Sequence, residues 1–267
     1  MNYQNILEKA FDSAEEVAKQ LQKNGKASQP LSHGAFGDLT YQIDKKVETE
    51  IIDVIQAYLP KSLIISEEAG IIGKHSEQPV ILIDPIDGST NAVRNVPFYS
   101  SAITIVDGFR FNDVVSAGVV NLVNGDRILS TDDRKVLFNG DPTKPSPTTI
   151  LDKAYVSINL RTEKMNNAEK WLISLLQEIR YPRFLGSAAL ETAYVAAGKS
   201  NAFIQISPNL RTFDCIGALF LVKAAGGWIE FLNTDISTVD IRKPERFAYV
   251  AACDSGIGEL LMSFRPD

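Results

Sequence analysis

Histidine, cysteine and tryptophan are scarce in this chain, and their scarcity narrows the chemistry it can perform. Its 267 residues include two of each. Cys215 and Cys253 alone cannot form a disulfide framework or a cysteine-rich zinc site. The two histidines, His33 and His75, poorly support histidine-based metal or triad chemistry. Carboxylates are therefore the remaining candidates for catalytic and metal-binding groups.

Long apolar runs and an excess of positive charge are also missing. No run approaches the roughly 20 residues of a membrane-spanning helix. The first residues start an amphipathic pattern rather than a signal peptide. The formal net charge is −6, from 27 basic and 33 acidic residues, which argues against a general polyanion binder. We therefore expect a soluble cytoplasmic protein with neither a membrane nor a nucleic acid as partner.

The apolar pattern predicts helices that alternate with buried strands. Residues 6–21 repeat apolar side chains every three or four positions, and a second such stripe runs from about Tyr41 to Pro60. The short apolar runs at 63–65 and 80–83 are typical of buried strands. Sheets layered with helices follow, which makes the fold class α/β or α+β.

A proline-rich segment marks the best candidate division of the chain. Residues 141–147 contain three prolines, which do not continue a helix or a central strand. We expect one compact unit over residues 1–267, with an N-terminal part (1–145) and a C-terminal part (146–267).

The stretch Ile83-Asp84-Pro85-Ile86-Asp87-Gly88-Ser89-Thr90-Asn91 is the most informative part of the sequence. An apolar strand leads into two aspartates three residues apart, and α/β folds place ligands at strand ends. If the residues from Gly88 onward open a helix, their amides and the helix dipole make an anion site of phosphate size. The simpler alternative is a polar loop in which one aspartate caps the helix.

Other carboxylates have similar positions. Glu67 and Glu68 follow the strand at 63–65, Asp214 begins an apolar helix, and Asp44 lies early in the second helix. Each of them alone is most simply a cap or a solvated charge. If these acids converge on one cleft, their negative charges need a compensating cation. Oxygen ligands select Mg²⁺, and this ion favours a substrate phosphate as a further ligand.

Four motifs in order resemble the inositol monophosphatase family. Residues 84–91 resemble its D-P-[IL]-D-G-[ST]-x-N signature. Matching blocks lie at 38–44, 66–68 and 213–227, and the segments 34–44 and 183–191 are similar to the archaeal branch. Members of that branch often hydrolyse both inositol-1-phosphate and fructose-1,6-bisphosphate. The resemblance implies a five-layer α-β-α-β-α sandwich, a homodimer, and a small phosphorylated polyol or sugar as substrate.

The resemblance also implies roles for individual residues. It implies two or three Mg²⁺ ions, which Mn²⁺ could replace, held by Glu67, Asp84, the Ile86 carbonyl, Asp87 and Asp214. It assigns the orientation and activation of the attacking water to Asp44 and Ser89, with Glu67 also in the catalytic set. It gives phosphate or substrate contacts to Asp87, Gly88, Ser89, Arg183, Ala188 and Ser207. The implied reaction is direct in-line attack by water, without a phosphoenzyme.

Two positions depart from the family pattern. Ser89 stands where threonine is usual, which keeps the hydroxyl. Ser207, seven residues before Asp214, stands where relatives have an inositol-binding glutamate or an arginine. Arg211 lies nearby and could substitute, although we expect a solvated surface side chain.

Other functions remain open at this point. A haloacid-dehalogenase-type phosphatase needs two aspartates two residues apart, whereas Asp84 and Asp87 are three apart. Within the family, a nucleotide 3′-phosphatase or an NADP phosphatase is an alternative, although adenine recognition usually needs extra loops. A non-catalytic binding protein on the same fold is a third possibility.

Overall fold

The computed structural model describes residues 2–147, 150–159, 168–243 and 245–266. Its helices are α1 (Tyr3–Lys23), α2 (Gln42–Tyr58), α3 (Ser89–Val93), α4 (Ala168–Glu178), α5 (Ala188–Ala196), α6 (Thr212–Ala224) and α7 (Ser255–Ser263). The strands are β1 (Pro30–His33), β2 (Leu39–Tyr41), β3 (Leu63–Ser66), β4 (Gly70–Ile72), β5 (Val80–Asp87), β6 (Ser100–Val106), β7 (Val114–Asn121), β8 (Arg127–Ser130), β9 (Val136–Phe138), β10 (Asp141–Pro142), β11 (Tyr155–Asn159), β12 (Tyr181–Arg183), β13 (Ala202–Arg211), β14 (Trp228–Phe231) and β15 (Arg246–Ala252).

Helices α1 and α2 form the first layer. Their apolar stripes pack against each other and on one face of the larger sheet, as the periodicity predicts. Helix α2 ends before Pro60, as expected from the missing amide hydrogen of proline. In the described part of the chain, no helix combines the length and the apolar character needed to cross a membrane.

The larger sheet has eight strands in the order β10-β9-β8-β7-β6-β5-β3-β4. All its neighbours are antiparallel except β3 and β5, which are parallel. Strand β5 is buried on both faces: Ile81 and Ile83 face α1 and α2, whereas Val80 and Leu82 face the middle of the molecule. This explains its continuous apolar run, because alternating side chains all meet apolar neighbours.

The second sheet completes a five-layer arrangement. It has five strands in the order β12-β11-β13-β15-β14. Helices α5 and α6 lie between the two sheets, and α4 and α7 cover the outer face of the second sheet. The α-β-α-β-α sandwich implied by the resemblance is therefore confirmed. The central core joins side chains from both parts of the chain, such as Leu82 and Phe213.

Candidate active site

Residues from distant parts of the sequence line one cavity of about 510 Å³. The residues singled out in the sequence that line it are Glu67, Glu68, Asp84, Ile86, Asp87, Gly88, Ser89, Ala188, Arg211 and Asp214. Asp44 is buried directly beside the cavity, and its negative charge raises the pKa of both Glu67 and Asp84. The acids therefore do converge on one cleft.

An irregularity in β5 brings both of its aspartates to the cavity. The apolar run predicted a strand that ends near residue 83, but the strand continues to Asp87. In a regular strand, residues three apart point to opposite faces. The pairing of β5 with β6 shifts register between Asp84 and Asp87, so both side chains can line the same cavity.

Gly88 makes the turn from β5 into α3. Its φ of +95° favours glycine, and a Cβ at this position would lie 2.9 Å from the Gly186 carbonyl oxygen. Helix α3 begins at the next residue, as expected, and the Ser89 hydroxyl donates to the Ile86 carbonyl at 2.9 Å. The chain thus brings an amide-rich turn next to the carboxylates.

Asp87 binds the N-terminus of α5, a hundred residues further along the chain. Its Oδ1 accepts from the Ala188 amide at 2.9 Å, and its Oδ2 accepts from the Ala189 amide at 2.8 Å and the Ser187 hydroxyl at 2.6 Å. The Ser100 hydroxyl and the Leu190 amide add longer bonds to Oδ2. Burial raises the pKa of Asp87, and these hydrogen bonds oppose that rise. Asp87 therefore caps α5 and also lines the cavity, whereas the alternative from the sequence was a cap on the helix that follows the motif directly.

Asp44 is buried with one carboxylate oxygen unpaired. Its Oδ2 accepts from the Tyr41 amide at 2.7 Å, whereas its Oδ1 has no hydrogen-bond partner. Burial raises the pKa of Asp44 to about 7, although the hydrogen bond from the Tyr41 amide lowers it. Such a carboxyl can exchange a proton near neutral pH.

The other acids of the cavity raise one another's pKa. Burial raises the pKa of Glu67, and the negative charges of Asp214 and Glu68 raise it further. Burial likewise raises the pKa of Asp84, with the charge of Glu67 as the next cause. Burial raises the pKa of Asp214 to about 7, against the hydrogen bond from the Arg211 amide. A cluster of this kind favours any cation that can enter it.

Arg211 is the cation that the chain itself supplies, and the expectation of a solvated surface side chain is wrong. It is only 4% exposed. Its guanidinium pairs with Asp38 and with Glu67, the latter at 3.3 Å, and lies 5.6 Å from the ring centres of both Phe36 and Phe213. Arg211 is buried because the acids around it would otherwise be left without a counter-charge.

The donor set of the cavity fits a hard divalent cation, although the ligands are not pre-arranged around one point. Among the described residues, no three acidic, histidine or cysteine side chains form a ready-made metal cluster. Asp87 is turned toward α5, and Glu67 pairs with Arg211. Asp44 Oδ1 and Asp84 Oδ1 are buried acceptors without partners, as expected for oxygens that await a cation.

Two of the implied substrate contacts do not line the cavity. Arg183 does not line it: its guanidinium stacks 4.8 Å from the Tyr155 ring centre. Ser207 does not line it either, is 4% exposed, and accepts a hydrogen bond from Asn209. Sequence reasoning missed Arg246, which does line the cavity. No motif marks this arginine, and only the pairing of β13 with β15 brings it to the site.

Two buried glutamates hold the loops that carry the site. Glu48, one helical turn after Asp44, accepts through Oε1 from the amides of Glu68 at 3.0 Å and Ala69 at 2.8 Å. Glu191 accepts from the Gly186 amide at 3.1 Å, and burial raises its pKa to about 7. Glu48 could have been found from the sequence, because a residue four positions after Asp44 lies on the same face of the helix.

Comparison with known proteins identifies the family. The family model described as "Inositol monophosphatase family" matches residues 2–250, so the chain belongs to the inositol monophosphatase family. It is 29% identical over 235 residues to the fructose-1,6-bisphosphatase/inositol-1-monophosphatase of Methanothermobacter thermautotrophicus, covering 84% of this chain and 82% of that protein.

A second relative has a different substrate in its name, and a solved structure shows the shared fold. The bifunctional NADP phosphatase/NAD kinase of Methanococcus maripaludis is 28% identical over 262 residues, covering 89% of this chain but 45% of that protein. The inositol monophosphatase of Thermotoga maritima superposes with a TM-score of 0.76 at 24% identity, covering 94% of this chain and 92% of that one.

Proposed function

We propose that this chain is a Mg²⁺-dependent phosphomonoesterase that hydrolyses inositol-1-phosphate, fructose-1,6-bisphosphate or both, by direct in-line attack of water. The observation that carries the proposal is the single cavity shared by Glu67, Asp84, Asp87, Asp214 and the Gly88 turn. Family membership supports the reaction class. The negative cavity supports the need for a metal, because a phosphate dianion would otherwise be repelled from it.

Glu67, Asp84, the Ile86 carbonyl, Asp87 and Asp214 would hold the ions. The free lone pairs of Asp84 Oδ1 support this assignment. Asp87 would contribute through Oδ1, because that oxygen accepts one hydrogen bond whereas Oδ2 accepts four. Bound Mg²⁺ would lower the pKa of water, neutralise the phosphate and stabilise the leaving alkoxide.

Asp44 and Ser89 would orient the attacking water and receive its proton. Asp44 Oδ1 is unpaired, and the pKa of about 7 suits a group that takes up a proton at neutral pH. The hydroxyl of Ser89 donates to the Ile86 carbonyl, and this hydrogen bond restrains its position. The amides of Gly88 and Ser89 would donate to the scissile phosphate.

A second candidate function is NADP phosphatase. It is favoured by the Methanococcus maripaludis relative, which covers most of this chain. The metal chemistry would be the same, and only the leaving group would differ.

Arg183 and Ser207 remain proposed substrate contacts from the family resemblance alone. We also propose that the protein is cytoplasmic and forms a homodimer, and sedimentation of the purified protein would test the dimer.

Phosphate release on parallel substrates tests the proposal. Inositol-1-phosphate, fructose-1,6-bisphosphate and NADP are each incubated with Mg²⁺ or with EDTA, and the variant Asp84→Asn serves as a control for contaminating phosphatases. We expect Mg²⁺-dependent turnover of the first two. A strong preference for NADP selects the second candidate. A folded, Mg²⁺-binding protein that hydrolyses none of the three contradicts the proposal and favours a binding protein.

A further inference from the structure

Acidic side chains make up most of the charged lining of the cavity, and we call the part around them the acidic end; two arginines also line the cavity. The acidic residues that line it are Asp38, Glu67, Glu68, Asp84, Asp87 and Asp214. In the described part of the chain, two cationic residues line it, Arg211 and Arg246. The position of these two arginines decides which substrate charges the cavity accepts.

Arg211 is already neutralised by the protein. Its buried guanidinium pairs with Asp38 and Glu67, and two aromatic rings flank it. A further anion would have to displace one of these carboxylates, which costs the energy of a buried ion pair. Arg211 therefore belongs to the acidic end and is not free to bind a substrate charge.

Arg246 differs from Arg211 in each of these respects. It is exposed, and its guanidinium donates to the main-chain carbonyl of Asn209. Among the described residues it forms no ion pair. Its positive charge nevertheless reaches the site, because it lowers the pKa of Asp214. Arg246 thus offers an unneutralised charge at the mouth of the cavity.

The sheet places the two arginines directly opposite each other. In the antiparallel pair of β13 and β15, Arg211 is the register partner of Arg246. Side chains of such partners lie on the same face of the sheet, and like charges there are destabilising. Asp38 and Glu67 neutralise the charge of Arg211, whereas no acid in the described part of the chain forms an ion pair with Arg246. A bound anion would relieve this repulsion.

We propose that Arg246 binds a second anionic group of the substrate, on the leaving-group side of the scissile phosphate. The proposal rests on the proposed function, because it assumes that the scissile phosphate occupies the acidic end. The second group is a phosphate in a sugar bisphosphate or the pyrophosphate of a dinucleotide. A neutral polyol leaving group gains nothing from Arg246, so this residue sets the preference between substrates that carry one anionic group and those that carry two.

The test compares substrates across charge variants of Arg246. Arg246→Gln keeps a donor for the Asn209 carbonyl and removes the charge, and Arg246→Lys keeps the charge. Arg265→Gln is the matched control, since Arg265 is also exposed and donates to a main-chain carbonyl, that of Leu232, but does not line the cavity. For each protein, kcat and KM are measured with inositol-1-phosphate, fructose-1,6-bisphosphate and NADP at saturating Mg²⁺.

We expect Arg246→Gln to lower kcat/KM for the preferred doubly anionic substrate by roughly 10- to 100-fold, mainly through KM, because a charge-assisted contact is lost. Turnover of inositol-1-phosphate should stay within about twofold, and Arg246→Lys should retain part of the preference. The sugar bisphosphate and NADP arms distinguish the two sources of the second anion.

Equal losses on all three substrates, or no loss on any, would overturn the role of Arg246. So would wild-type protein that hydrolyses inositol-1-phosphate but neither of the other two, although the proposed function would then stand. Wild-type protein that hydrolyses none of the three refutes the proposed function itself, and the role of Arg246 fails with it.

Discussion

Two aspartates three residues apart on the same strand should differ in how the same substitution changes the stability of the protein. Asp84 and Asp87 both line the cavity, and we expect Asp84→Asn and Asp87→Asn each to remove most Mg²⁺-dependent turnover. Their effects on stability should differ, because Asp87 accepts hydrogen bonds from α5 whereas Asp84 Oδ1 has no partner. Measuring stability separates a structural carboxylate from one kept for ligand binding.

The hydrogen bonds of Asp87 set the size of its effect. An asparagine that keeps its oxygen toward Ser187 and Ala189 turns its amide group toward the Ala188 amide, which is also a donor. One bond to a charged acceptor is lost and a buried donor is left unsatisfied, which costs roughly 2–5 kcal/mol. For a chain of this size that lowers Tm by roughly 5–15 °C.

Asp84 should behave differently, because its charge is repelled in the metal-free protein. The charges of Glu67, Asp87 and Asp214 all raise its pKa, in addition to the effect of burial. Asparagine has nearly the same shape and removes this repulsion. We therefore expect Asp84→Asn to leave Tm unchanged or to raise it when Mg²⁺ is absent.

Thermal unfolding near pH 8, followed with EDTA and again with Mg²⁺, measures both effects. Mg²⁺ should stabilise the wild type and stabilise Asp84→Asn much less. The reasoning is refuted if Asp84→Asn destabilises the metal-free protein as much as Asp87→Asn does. It is also refuted if Asp87→Asn unfolds at the wild-type temperature, since its bonds to α5 would then contribute nothing.

Further variants address the residues that hold the site in place. Glu48→Gln should raise the Mg²⁺ concentration for half-maximal turnover by roughly tenfold, because the charge that binds the amides next to Glu67 is lost; a kcat loss that high Mg²⁺ does not restore contradicts this. Gly88→Ala should cost roughly 1–3 kcal/mol in urea unfolding, from its positive φ and the contact with Gly186, and an unchanged midpoint would disprove the strain. The pKa of Glu191 rises from 4.5 to about 7, so the folded metal-free protein holds a proton that the unfolded chain releases, and stability should fall as pH rises across this window. Glu191→Gln should lack that part of the slope between about pH 4.5 and 7, and an identical slope would argue against this role of Glu191.

The local elements and the family were predictable from the sequence. The apolar stripes of α1 and α2 depend on residues a few positions apart, and so do the buried strand at 80–83 and the helix that opens after Gly88. The ordered acidic motifs indicated the family to which the chain belongs, and they showed which acids could share one cleft. The helices, the strand and the turn were predictable because hydrophobic periodicity and turn residues determine the backbone conformation over only a few residues.

The positions of the charges within the site were decided by the tertiary structure. Nothing near Asp87 in the sequence shows that it caps a helix a hundred residues away, and nothing near Arg211 shows that Asp38 and Glu67 neutralise it. Arg246 faces the cavity only because β15 pairs with β13 in one register. Hydrogen bonds and ion pairs of this kind join segments that are remote in sequence, so sequence alone determined which acids were available, and the packing of the two sheets decided which of them are capped, paired or free.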